Sequence, residues 1–115
     1  MTPAFHNPEK ETMPREEVRE LQEKRLRDIV GYAFEANPVM RGKLAASGFG
    51  NGSEASLDTL ARLPMMDKED LRAHYPMELA CVDEREVAEI HMSSGSTGSP
   101  ICMPYTPADL AQWGE

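Results

Sequence analysis

A chain of 115 residues that is 40% hydrophobic but only 6% aromatic can bury one modest core. Its formal net charge of −8 and pI near 4.9 argue against a nucleic-acid partner, whose phosphates need a lysine- and arginine-rich face, though they do not exclude a nucleotide held through backbone donors. No apolar run approaches the ~20 residues of a membrane span, and the first residues lack a signal peptide's apolar core, so a soluble cytoplasmic protein with no membrane partner is expected.

Residues 1–11 are polar and proline-punctuated, and predict an extended or disordered arm. Thr12 is a candidate N-cap, with Pro14, Glu16 and Glu17 suiting the first turn of a helix that runs to about Ala36. Val18, Leu21, Leu26, Ile29, Val30, Ala33 and Phe34 form its apolar stripe. Glu20 with Lys24, and Glu23 with Arg27, stand in the favourable i,i+4 order of a solvated face.

Asn37-Pro38 ends that helix, because the residue before proline is pushed out of the α region. A second helix is expected from about Val39 to Ser47, with Gly48 as its C′ residue. Gly48-Phe49-Gly50-Asn51-Gly52-Ser53 is expected to be a mobile surface loop. A short helix at about Leu57–Ala61, capped by Ser56, should break at Pro64. Asp67 then caps another, with Asp70 in a capping-box position, until Tyr75-Pro76. His74 lies four residues from Asp70, a spacing that suits a simple hydrogen bond better than an acid–base pair. Residues 12–82 thus read as a helical N-terminal subdomain without a catalytic constellation.

Cys81 and Cys102 have neither C-x-x-C spacing nor a histidine at ligand distance, and are expected to be reduced thiols with no metal. Asp83, Glu84, Glu86 and Glu89 lead toward a strand and are expected to face away from the loop beyond it. Val87–Met92 and Ile101–Tyr105 read as two strands of a hairpin. His91 is open to two readings, a strand histidine with a satisfied hydrogen bond or a contact to substrate or nucleotide. Thr106-Pro107-Ala108-Asp109 is a compact helix start, followed by Leu110 and Trp113 on one face.

The hairpin tip is Ser93-Ser94-Gly95-Ser96-Thr97-Gly98-Ser99-Pro100, which holds five hydroxyls, two glycines and no charge. Glycine tolerates positive φ and lets backbone N–H groups converge on phosphate oxygens, while the hydroxyls add donors. Such composition also suits a flexible linker, but strands abut it on both sides. It is not a Walker A loop, because it lacks the lysine and the helix that must follow directly.

Ser93 to Pro100 resembles the phosphate-binding loop of the adenylate-forming enzymes, Thr/Ser-Ser-Gly-Thr/Ser-Thr-Gly-x-Pro. Glu11–Glu16, Leu60–Pro64, Lys68–Arg72, Tyr75-Pro76, Ile90–Ser94 and Tyr105–Leu110 narrow the likeness to the opening of phenylacetate–coenzyme A ligases, over about Glu11 to Glu115. The resemblance implies an α/β fold in which a helical N-terminal subdomain precedes the first β-hairpin and helix of an AMP-binding body, here residues 83–115, with an incomplete sheet. It implies cofactor-binding roles for Ser93, Ser94, Gly95, Ser96, Thr97 and Gly98, and a reaction that joins an aryl carboxylic acid to coenzyme A through ATP and magnesium.

Ser99 and Ile101 stand where related ligases often carry lysine, which implies a weaker grip on phosphate. The resemblance implies no catalytic residue within the chain, so the segment alone is expected to be inactive. A sister activity, such as adenylation of a deazaflavin coenzyme, and a non-enzymatic adaptor that retains the loop remain alternatives. Open strand edges imply self-association or a completing chain.

Overall fold

In the computed structural model, which describes residues 4–95 and 98–114, a helical part is followed by a two-stranded hairpin and a closing helix. The first helix, α1 (Pro8–Glu11), is a single turn where an extended arm was expected. Its cause is local: Asn7 Oδ1 accepts from the Lys10 amide, and the Glu11 carboxylate accepts from the Asn7 amide at 2.7 Å. Thr12 consequently ends α1 and does not start α2 (Arg15–Ala36), whose N-cap is Pro14. The pairing of Arg27 with Glu23 is present at 3.5 Å, whereas Lys24 turns forward to Asp28.

α3 (Pro38–Ala46) starts at the proline, one residue before the sequence suggests. Asn37 is the hinge between the two helices and is 1% exposed. Its Oδ1 accepts from the Val39 and Met40 amides at 3.0 Å each, capping α3, while Nδ2 donates to the carbonyls of Glu78 (2.8 Å) and Ala80 (3.1 Å). Every bonding site of the buried amide is matched, the condition under which a polar group can be taken out of water.

The segment Gly48–Ser53 is packed against α2, contrary to the expectation of a loose surface loop. Phe49 is 1% exposed and joins Val30, Leu44 and Ala55 in the core, flanked by Leu26, Ala33, Phe34 and Leu63. Two glycines permit the approach. A Cβ on Gly31 of α2 would stand 2.7 Å from the Asn51 carbonyl, and one on Gly52 (φ +94°) would stand 2.7 Å from both the Arg27 carbonyl and the Gly31 amide nitrogen. Within the apolar stripe Val30 is buried, but Ile29 is 58% exposed on a face that nothing described covers.

The helix expected at Leu57–Ala61 is instead a turn followed by a 3-10 turn at Leu60–Arg62. Ser56 and Thr59 hydroxyls bond the surrounding backbone, with Thr59 Oγ1 accepting from the Ser56 amide at 2.9 Å and donating to the Glu54 carbonyl at 3.0 Å, a local alternative to helical bonding. α4 (Lys68–Ala73) has the expected capping box between Asp67 and Asp70. A capped 3-10 turn at Glu84–Glu86 leads to the antiparallel pair β1 (Glu89–Met92) and β2 (Cys102–Tyr105), in the register Glu89↔Tyr105 to Met92↔Cys102. α5 (Pro107–Trp113) comes next, starting where the sequence predicts, capped by Thr106 and with Asp109 completing a capping box. No helix among the described residues is long and apolar enough to cross a membrane.

Candidate functional site

The loop between β1 and β2 is closed by its first residue. Ser93 donates its amide to the Ile101 carbonyl at 3.1 Å, and its hydroxyl oxygen accepts from the Ile101 amide at 2.9 Å. Among the described residues nothing accepts the hydroxyl proton, which can serve a ligand oxygen, since a serine can accept and donate at once. Ile101 is 6% exposed and roots the returning strand.

Gly95 (φ +65°) and Gly98 (φ +148°) both lie where side chains are disfavoured, and the Gly98 amide donates to the Gly95 carbonyl at 3.2 Å. A Cβ on Gly95 would press within 3.0 Å of the Gly98 carbonyl oxygen. The motif thus has the backbone that its two glycines call for. Ser94 is exposed beside them, and the motif residues Ser96 and Thr97 lie outside the described residues.

A residue that sequence reasoning passed over reaches this loop from α4. Arg72 Nε donates to the Ser99 carbonyl at 3.1 Å, and Nη1 donates to the Glu69 carboxylate on the preceding turn of the same helix. The signal was present only indirectly: no lysine follows Lys68 and no arginine follows Arg85, so a cation at the loop had to come from upstream.

Three acidic residues at or just before the start of β1 have partners of their own. Asp83 and Glu86 form a capping box, and Glu89 accepts from His91 Nε2 at 3.0 Å. His91 therefore has the satisfied bond of the simpler reading, and its ring also packs on Tyr105 (4.9 Å) and Trp113 (5.5 Å). His74 pairs with Glu78 at 2.8 Å and not with Asp70, which is held by Lys43 at 2.7 Å. That bond, reinforced by the Asp67 amide, lowers the Asp70 carboxyl below the ordinary carboxylate range.

A separate cavity of about 390 Å³ opens between the helical part and β2, lined among others by Tyr32, His74, Cys81, Cys102 and Tyr105. Burial raises the Cys81 thiol, which disfavours its thiolate. Desolvation, followed by the charges of Cys81, Glu86 and Asp109, raises the Tyr32 phenol, whose hydroxyl donates to the Cys81 carbonyl at 3.0 Å. No group of side chains suited to a metal ion exists among the described residues.

No family model matches the chain. Curated relatives do: a phenylacetate–coenzyme A ligase of Thermus thermophilus is 44% identical over 111 residues, 96% of this chain and 25% of the relative, and one of Escherichia coli is 36% identical over 103 residues, 90% of this chain and 24% of the relative. Among solved structures, a 2-hydroxyisobutyryl-CoA ligase in complex with 2-HIB-AMP and CoA in its thioesterification state superposes with a TM-score of 0.79 at 35% identity, over 95% of this chain and 25% of that one. An open conformation of the same ligase gives 0.77. The chain spans about a quarter of the length of the relatives it matches.

Proposed function

Taking as premise that the chain is homologous to an N-terminal portion of the phenylacetate–coenzyme A ligases, we propose that it supplies the phosphate-holding loop of an enzyme that activates a carboxylic acid with ATP and passes the acyl group to coenzyme A. The observation that carries this reading is the loop backbone, with Gly95 and Gly98 both at positive φ and Ser93 stapled across its base. Exposed hydroxyl-bearing residues on this uncharged turn, Ser93, Ser94 and Ser99 among those described, suit the β- and γ-phosphates of ATP. Each bond to a charged oxygen contributes about 1.5–3 kcal/mol.

The role is positioning and charge stabilisation. Donors fixed before the reaction hold the polyphosphate in line as pyrophosphate leaves, with no covalent step by the loop itself. ATP and an aryl acid are the proposed partners, in the cytoplasm. Magnesium would neutralise the phosphates, although no side chains of the described residues are grouped to hold it. The aryl acid follows the ligases' name, while the structural neighbour with its bound 2-HIB-AMP makes a short hydroxy acid the competing substrate class.

Titrating Mg-ATP against the chain and against its Gly95→Ala/Gly98→Ala variant tests the loop. Binding that the double substitution removes is the expected result. Equal binding in both, or none in either, overturns the reading. ATP–pyrophosphate exchange across a panel of aryl and hydroxy acids, in a longer protein that carries this segment, decides between the two substrate classes.

A further inference from the structure

The loop carries no charge of its own, yet it touches one. Arg72 is anchored to the Ser99 carbonyl by Nε at 3.1 Å, and its side chain is only 21% exposed. The place where a Cβ of Gly98 would sit is 4.0 Å from that same nitrogen. The anchor uses one edge of the guanidinium. Nη1 rests on the Glu69 carboxylate, and among the described residues Nη2 has no hydrogen-bond partner.

Glu69 differs from Arg72 in its surroundings. Its side chain is 75% exposed, so it can swing into water at little cost, as exposed ion-pair partners do. An anion arriving at the loop would meet a guanidinium whose orientation is already fixed by backbone and whose second edge is covered, among the described residues, by an exposed carboxylate. Planar, forked donors of this type match phosphate oxygens two at a time.

We propose that Arg72, lent to the loop by α4, is the cation of the phosphate site, and that Glu69 is an exchangeable place-holder that a terminal phosphate of the polyphosphate displaces. This rests on the reading of the loop as a phosphate site and names the charge that completes it. It also accounts for a loop that manages with serine and isoleucine at 99 and 101, since the positive charge arrives from another element.

The test uses the whole 115-residue chain and inorganic tripolyphosphate, followed by calorimetry at low salt, with folding checked by circular dichroism. Arg72→Ala is expected to weaken binding about ten-fold. Arg72→Lys should restore only part of it, because one ammonium cannot serve the Ser99 carbonyl and a phosphate with the same fork. Glu69→Gln should tighten binding several-fold. A purely structural tie would not produce that gain, so unchanged or weaker binding in Glu69→Gln overturns the proposal even where Arg72→Ala fails to fold.

Gly98→Ala separates the two readings. If it abolishes binding while Arg72→Ala leaves binding intact, the loop stands and the role of Arg72 falls. If Gly98→Ala leaves binding unchanged, or the unsubstituted chain does not bind at all, the loop reading falls and takes this one with it.

Discussion

Phe49 and Trp113 are both large apolar side chains, but they live in different circumstances. Phe49 is 1% exposed among Val30, Leu44 and Ala55, whereas Trp113 is 62% exposed and leans on Tyr105 at 4.6 Å and His91. The same holds around them. The helical part has a core of its own, while the hairpin shows Ile90, Met92 and Met103 to solvent at 50%, 51% and 38%. Stability should therefore reside in the helices, and the glycine-rich loop should be tunable without unfolding them.

Substitutions can break that contrast or sharpen it. Phe49→Ala should cost the most, about 3–5 kcal/mol as a large buried ring is lost, read as a fall in the chemical denaturation midpoint. Trp113→Ala is expected to move the midpoint far less, and an equal loss would mean that the hairpin shares the core. Next comes Asn37→Ala, at about 3 kcal/mol, because the Glu78 and Ala80 carbonyls and two amides of α3 lose their partner together. Gly52→Ala should be comparable, since its Cβ would collide with backbone on two sides. Thr106→Ala, by contrast, removes a cap and should cost about 1 kcal/mol.

The smallest effect concerns pH. Asp70 and Asp109 both titrate below the ordinary carboxylate range when folded, the first chiefly through its bond from Lys43 and the second through the Thr106 amide. A carboxyl depressed on folding adds stability that is complete above its unfolded value, ~3.9, and fades as pH falls through the folded one. The unsubstituted chain should thus lose more stability than Asp70→Asn on acidification below about pH 4. Parallel acid titration curves for the two would show that Asp70 contributes nothing to the acid response.

What was legible in the sequence was local. The Asp67–Asp70 and Thr106–Asp109 boxes, the hairpin and the glycines of the loop all arise from residues a few positions apart. The packed Gly48–Ser53 segment was not legible. Its glycines signal freedom in isolation, and only the backbone of α2 shows that they are there for close approach. Arg72 was hidden for a similar reason: its partner Ser99 is 27 residues away, and helix-face arithmetic places arginine in solvent by default. Ser56-Leu57-Asp58-Thr59 failed in the opposite direction, because hydroxyls that favour a cap also satisfy a turn.

Asn37 has a consequence for how the chain comes into being. Its amide finds the Glu78 and Ala80 carbonyls 41 and 43 positions downstream, so during synthesis from the N-terminus the corner between α2 and α3 waits with a thirsty nitrogen until the ribosome has released that later stretch. A pause that leaves residues 78–80 unsynthesised or still inside the ribosome would delay closure of that corner, and one placed well beyond them would not.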